Sequence, residues 1–276
     1  MHASSRAAMA EARAALSAQT QGAPSNRRGD TLLALADELF AVAHLLEGQP
    51  SLRRAMADAS ARPDDRAGLA RRLLGSQISP TALTVVEAVV RQRWSRPLDL
   101  VEATETLAVE AALDAAEARA ELDGVEDELF RFGRIIAGDD DLLRILGDRT
   151  APREGKTALL DRLLAGKVSP VTERLVRNSL TSPNVHNAEN VVERLSEVAA
   201  RRRGKSVAHV TSAVALTAVQ ERRLAEVLER LYGRSIGLQV QVDPAVLGGL
   251  VIRVGDEIID GSIAHRLEAA GRRLAG

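Results

Sequence analysis

Asp37-Glu38-Leu39-Phe40 returns ninety residues later as Asp127-Glu128-Leu129-Phe130. Around this tetrapeptide, residues 36–88 align with residues 126–178 at a constant offset of 90 without a gap, and 16 of the 53 pairs are identical. Arg72-Leu73-Leu74 recurs as Arg162-Leu163-Leu164, and Ser79-Pro80 as Ser169-Pro170. Identity sustained over that length marks a duplicated structural unit, so the chain divides into a repeated part and a remainder from about residue 204. Two copies of so long a period do not make a solenoid, in which three or more short units stack on one continuous core. Tandem helical bundles fit instead.

The apolar spacing inside each copy is helical. Leu32, Leu35, Leu39, Ala43 and Leu46 fall on one face in the first copy, and Val125, Leu129, Phe132 and Ile136 in the second. Ser79 and Ser169 each precede a proline, the order expected of an N-cap and a first helical position. The helices they open should bury Leu83, Val86 and Val90, and Leu175, Val176 and Leu180. Short spacers at Ala61 to Asp65 and Thr150 to Gly155 suit antiparallel packing. The Ala/Glu-rich stretch from Leu98 to Leu122 closes the first bundle and opens the second, so the two share a helix or abut.

From Lys205 the period shifts towards 2. Ile236, Leu238, Val240 and Val242 alternate with Gly237, Gln239 and Gln241, and Leu250, Ile252 and Val254 alternate with Val251 and Arg253, which reads as half-buried strands. Gly255-Asp256 between Val254 and Glu257 predicts a two-residue hairpin. A strand over Val207 to Val214 leads to a helix in which Thr217 and Gln220 have capping-box spacing, Leu224, Val227, Leu228 and Leu231 form the inner face, and Gly233 ends it. A last helix starts at Ser262 with Ile263, Leu267, Ala270 and Leu274 on one side. The expected fold is mainly α: two tandem antiparallel helical bundles over 1–97 and 98–203, then a small α+β domain over 204–276.

Composition narrows the chemistry. The net charge of -1, from 37 basic and 38 acidic residues, provides no overall field for nucleic acid or anionic lipid. The absence of cysteine removes disulfides, thiolate metal sites and a Cys nucleophile together. Arg6, Glu11 and Arg13 break up any signal-peptide core, and no uncharged apolar run approaches the roughly 20 residues of a membrane span. With Trp94, Tyr232, Phe40, Phe130 and Phe132 as the only aromatic residues, a base-stacking platform is hard to build.

Candidate sites reduce to local structure. The pairs Gly155-Lys156, Gly166-Lys167 and Gly204-Lys205 lack the glycine five positions earlier that a phosphate loop needs, having Thr150, Asp161 and Ala199 there. Asp139-Asp140-Asp141 reads as a polar turn entering a helix. In the cluster Asp256, Glu257 and Asp260, a turn and a helix cap account for the carboxylates. His2, His44, His186, His209 and His265 show no metal-ligand spacing. Arg201-Arg202-Arg203-Gly204-Lys205 falls where a helix ends and cations offset the macrodipole; a phosphate site and contact with an acidic neighbour are the other two readings. No catalytic, cofactor or metal residue is assigned, and the residues alone describe an interaction protein.

A resemblance becomes specific at Val242-Asp243-Pro244-Ala245-Val246-Leu247-Gly248-Gly249-Leu250-Val251-Ile252-Arg253-Val254-Gly255-Asp256-Glu257-Ile258-Ile259-Asp260-Gly261-Ser262. The stretch resembles the C-terminal signature of the delta subunits of F-type ATP synthases, bacterial counterparts of the mitochondrial oligomycin-sensitivity-conferring protein. The signature elements are Asp243-Pro244, Gly248-Gly249, Gly255-Asp256 and Asp260-Gly261-Ser262. The likeness runs from about residue 98 to the end, with residues 1–97 as an additional bundle, as in actinobacterial delta chains. One departure lies after the fifth helix: the arginine often found there in the family is present as Arg96 in the first copy, whereas the second copy has Ser182-Pro183-Asn184.

What the resemblance implies is mechanical: a non-catalytic peripheral-stalk subunit without cofactors, at the cytoplasmic face of the cell membrane. Its bundle would bind the N-terminal helices of alpha subunits, and its tail the C-terminal end of the b subunit. Alpha contact is expected at Ala108, Ala112, Ala115, Val171 and Leu175, and b contact at Ile263, Leu267, Ala270 and Leu274. The rival reading is a generic helical adaptor of another multisubunit assembly.

Overall fold

The computed structural model describes residues 3–20, 27–183, 185, 187–205, 207–232, 236–243, 246, 248–254 and 257–260. Its helices are α1 (Ala3–Thr20), α2 (Arg28–Gly48), α3 (Pro50–Met56), α4 (Pro63–Leu74), α5 (Pro80–Arg91), α6 (Pro97–Ala118), α7 (Leu122–Ala137), α8 (Asp140–Gly147), α9 (Arg153–Leu164), α10 (Pro170–Leu180), α11 (Ala188–Lys205) and α12 (Ala218–Tyr232). The strands are β1 (Val207–Ser212), β2 (Gly237–Val242), β3 (Leu250–Val254) and β4 (Glu257–Asp260). The described chain is thus mainly helical with a small C-terminal sheet. It divides into two compact units, Met1–Glu197 and Val198–Gly276.

In the first unit, proline opens α3, α4, α5, α6 and α10, where its fixed φ is pre-organised and its missing N–H costs no bond. This places the start of α4 inside the expected spacer. The hydroxyl of Ser79 accepts from the Ala82 amide, and that of Ser169 from the Thr172 amide. Asp139 caps α8 by accepting from the Asp141 and Leu142 amides, so the aspartate run is a helix start.

The glutamate of each repeated tetrapeptide closes the same joint. Glu38 accepts from the Ser79 amide at 2.9 Å and from its hydroxyl at 2.6 Å. Glu128 accepts from the Ser169 amide at 3.0 Å and from the Thr172 hydroxyl at 2.5 Å. Each carboxylate thereby fastens α2 or α7 to the N-terminus of α5 or α10, where unpaired amides and the macrodipole favour an anion. A second joint recurs with its charges exchanged. Arg71 on α4 forks onto Glu87 on α5 at 2.8 and 2.7 Å, while at the equivalent positions Arg177 on α10 pairs with Asp161 on α9 at 2.5 Å. A third is a buried cation at the same place in each copy. Arg66 donates to the Arg91 and Gln92 carbonyls at 2.9 Å, and Lys156 to the Leu146 carbonyl at 2.8 Å. Burial depresses the pKa of both, and the carbonyls at a helix C-terminus supply compensating acceptors.

α6 packs on α1, α2, α3 and α5 of the first copy and on α7 and α10 of the second. It stands to α10 as α1 stands to α5. α1 runs parallel to α6, with the Ser5 hydroxyl donating to Asp99 at 2.7 Å and Arg13 pairing with Glu110 at 2.7 Å. α2 runs antiparallel, its Asp30 paired with Arg119 beyond the far end of α6. Ala103, Ala108, Ala111, Ala112, Ala115 and Ala116 are all fully buried, because small side chains let helices approach α6 on several faces. After α6 the chain reverses through a Schellman turn: the Glu121 amide reaches the Ala116 carbonyl at 2.8 Å and the Ala120 amide the Glu117 carbonyl at 3.0 Å. Ala120 occupies the left-handed position, at φ 56°, where glycine is the usual residue.

In the second unit the sheet order is β2-β1-β3-β4. β1 pairs parallel with β2 across the α12 crossover and antiparallel with β3, which pairs antiparallel with β4. Ala208, Val210, Leu228, Ile236, Ile252 and Val254 form the core. The expected capping box is present: the Thr217 amide donates to the Gln220 side chain at 2.8 Å, and the Gln220 amide to the Thr217 hydroxyl at 3.3 Å. Two expectations need correction. α12 meets the core along Leu224, Leu228 and Tyr232, a stripe one residue wide, which leaves Val227 and Leu231 exposed. β1 stops at Ser212, and Val242 at the end of edge strand β2 is exposed. The Gly233 stop, the Gly255-Asp256 turn and the last helix from Ser262 lie outside the described residues.

Replacing Glu38 or Glu128 by alanine strands the amide and hydroxyl donors it satisfies. Each substitution is expected to lower the unfolding free energy by about 1.5–3 kcal/mol in urea denaturation. Ala120→Gly relieves the left-handed backbone and should raise stability by about 0.5–1 kcal/mol; no gain would mean that the turn carries no strain.

Candidate functional site

One face of α2 is bonded to the second copy at three positions, with a buried phenylalanine among them, and this joint is the principal polar feature of the first unit. Asp37, Phe40, His44 and Glu47 follow at i, i+3, i+7 and i+10, so they line a single stripe. Asp37 accepts from Arg174 of α10 at 2.8 Å. Phe40 is 2% exposed and stacks on His44. The His44 ring places Nε2 3.1 Å from the Asn178 carbonyl and Nδ1 2.7 Å from the Arg153 guanidinium. Arg153 has only N–H donors, so Nδ1 accepts and Nε2 carries the proton. The Ser182 hydroxyl, just past α10, donates to Glu47 at 2.8 Å.

Glu105 of α6 completes the joint. Burial, then the charges of Glu47 and Glu102, push its pKa up to about 7, against the pull of Arg194 and the Ser182 hydroxyl. Burial and the Arg153 charge lower the His44 pKa to about 4, outweighing the Asn178 carbonyl. Ligand atoms of His44, Glu47 and Glu105 lie within 4.8 Å of one another, close enough for a shared cation. Both imidazole nitrogens are already engaged, however, and a guanidinium beside Nδ1 opposes a second positive charge. The arrangement bonds α2 to the second copy and favours the protonated form of Glu105.

The five residues expected to meet alpha subunits, Ala108, Ala112, Ala115, Val171 and Leu175, are all fully buried in the first unit. α2 packs on both α6 and α10, the helices that carry them. Of the signature residues, Gly248 and Gly249 have φ of 86° and 88°, conformations that require glycine. They follow Asp243, whose amide donates to the Ser212 carbonyl at 2.8 Å and draws the chain off β2. Asp260 ends β4 opposite Val251. Pro244, Gly255, Asp256, Gly261 and Ser262, like Ile263, Leu267, Ala270 and Leu274, lie outside the described residues. Sequence reasoning missed Glu47, Glu105 and Ser182. The available signal was that the copies diverge along this stripe, with Arg134 and Ala137 in place of His44 and Glu47.

Comparison with known proteins agrees with the C-terminal signature. A family profile described as the ATP synthase delta (OSCP) subunit matches residues 109–274. "ATP synthase subunit delta" of a Parafrankia species is 48% identical over 277 aligned residues, covering 99% of each chain. The protein of the same description from Streptomyces coelicolor is 48% identical, covering 100% of this chain and 98% of its own length. That from Nocardia farcinica is 44% identical over the whole of both.

The two shifted groups act on stability with opposite signs. Glu105 binds its proton more tightly in the folded chain, so its contribution is complete below about pH 4.5 and is lost as pH rises towards 7. His44 binds its proton less tightly, so its contribution is complete above about 6.5 and is lost as pH falls towards 4. Between pH 4.5 and 6.5 the two offset one another. In Glu105→Gln the offset disappears: stability should rise from pH 4.5 to 6.5 and, at pH 8, exceed that of the parent by about 2–3 kcal/mol. Denaturant titrations across this range read both effects, and parallel profiles for parent and variant would refute the assignment.

Proposed function

The chain belongs to the ATP synthase delta (OSCP) subunit family, and we propose on that footing that it is a non-catalytic stator element, linking the alpha/beta head to the membrane-anchored b subunit. A stator resists torque, which calls for rigid coupling along its length. The joint supports this reading. Salt bridge, stacked ring, imidazole and carboxylate follow one another along α2, so the duplicated region is braced as one body. Among the described residues no helix is long and apolar enough to cross a membrane, consistent with a peripheral place at the cytoplasmic face.

For the alpha contact, the pairing of a first with a fifth helix is retained but assigned to α1 and α5. The corresponding pair in the second copy, α6 and α10, is covered by α2. On α1, Ala7, Ala10, Ala14 and Ala18 form an exposed stripe that lets a partner helix approach closely. The b contact is assigned to the C-terminal stretch, through Ile263, Leu267, Ala270 and Leu274. The working modules are 1–97, the added copy; 98–203, the ordinary bundle; and 204–276, the b-binding part.

Membranes whose synthase lacks this chain should lose proton-driven ATP synthesis while the head retains ATP hydrolysis, and adding back the full chain should restore coupling. Leu267→Asp should prevent the restoration by weakening attachment to b, read by co-sedimentation with a b-subunit fragment. Coupling that is indifferent to the chain would sink the stator reading, whereas indifference to Leu267→Asp alone would sink only the assigned b contact.

A further inference from the structure

The repeated tetrapeptide ends in a phenylalanine that has opposite fates in the two copies. Phe40 is 2% exposed, whereas Phe130 is 61% exposed. Phe40 lies on the α2 stripe bonded to α10, between Asp37, paired with Arg174, and His44, paired with the Asn178 carbonyl. The equivalent α7 stripe is Asp127, Phe130, Arg134 and Ala137, and all four are exposed. Among the described residues Asp127 pairs only with Arg131, one turn along its own helix, both well exposed, a kind of pair that contributes little. The second copy therefore presents a docking face whose counterpart in the first copy is covered by a helix of known chemistry.

We propose that the Asp127-Phe130-Arg134 face of α7 docks an α-helix of another subunit, one that presents an arginine or lysine to Asp127 and an apolar socket to Phe130. Within this chain Arg174 of α10 meets Asp37, and Phe40 beside it is buried, which is the precedent for the basic partner and for withdrawing the ring from solvent. Arg134, two turns from Asp127, adds a demand for a carboxylate or a helix C-terminus, so the two charges fix which way the partner runs. A second copy of this chain fits poorly. α10 is already engaged by α2, and α5 carries Thr84 and Ala88 where α10 has Arg174 and Asn178. Phe130 supplies the anchor, a large exposed aromatic flanked by charge, as at the centre of many interfaces.

The inference rests on the chain working inside the synthase, and its test separates the two. A photo-reactive phenylalanine analogue is placed at position 130 of the full chain, and the purified assembled complex is irradiated. The expected product is a covalent adduct to one helical segment of a different subunit, with a basic residue within a turn of the attachment point by mass spectrometry. Asp127→Arg should cut its yield at least fivefold. The same analogue at position 40, which is buried, should give only links within its own chain. An assembled complex in which position 130 links only to its own chain, to a second copy or to nothing overturns the inference and leaves the stator reading standing. Failure of the chain to co-purify with the complex defeats both. Phe130→Asp provides a second check: thermal stability should be unchanged while retention in the complex falls, and loss of the fold would make Phe130 a core residue.

Discussion

Burial of α6 on several faces at once is the constraint on which the first unit depends. A helix that ends one bundle and begins the next must let neighbours approach from different directions, and bulky side chains would hold them apart. Alanine at positions 103, 108, 111, 112, 115 and 116 meets that requirement, with Leu100, Leu107 and Leu113 filling the wider gaps. The same arrangement needs parallel contact with α1 and antiparallel contact with α2, and polar pairs mark both registers: Ser5 with Asp99, Arg13 with Glu110, and Asp30 with Arg119. Asp99 is wholly buried. Burial alone would raise its pKa, but the Ser5 hydroxyl and Arg96 outweigh it and hold the carboxyl below its ordinary value.

Around that helix, the duplication has kept physical roles more faithfully than residues. The bond from glutamate to the serine amide persists at 38 and 79 and at 128 and 169, since an anion at a helix N-terminus has few substitutes. The α4–α5 ion pair reappears in α9–α10 with its signs exchanged, which preserves attraction while changing both residues. The buried cation changes from Arg66 to Lys156 and moves from the carbonyls after α5 to one at the end of α8. Each copy thus fastens its helices by the same means, and where the copies differ their neighbours differ.

The α2 stripe follows that rule. Asp37 and Phe40 have identical counterparts in Asp127 and Phe130, yet His44 and Glu47 do not, and among the described residues the first stripe is bonded to the other copy while the second is exposed. Glu105 and His44 place two displaced titrations inside the resulting joint, so the contact between copies responds to protons as well as to packing. A brace made of several short polar bonds over an apolar base resists sliding in a way that apolar packing alone does not, because hydrogen bonds are directional.

By itself the sequence determined the helical character of the first two hundred residues, the capping serines, the Thr217–Gln220 box, the strand periods and the family, since each is written in spacing over a few residues or in a local signature. It also placed the seam in the Ala/Glu-rich stretch. Only the tertiary structure decided that α2 covers α6 and α10, that the mixed sheet runs β2-β1-β3-β4, and that Phe40 is buried while Phe130 is not. Glu47, Glu105 and Ser182 are far apart in the chain, and no periodicity brings them together. Local pattern fixes which face of a helix is apolar; which helix covers that face depends on long-range packing.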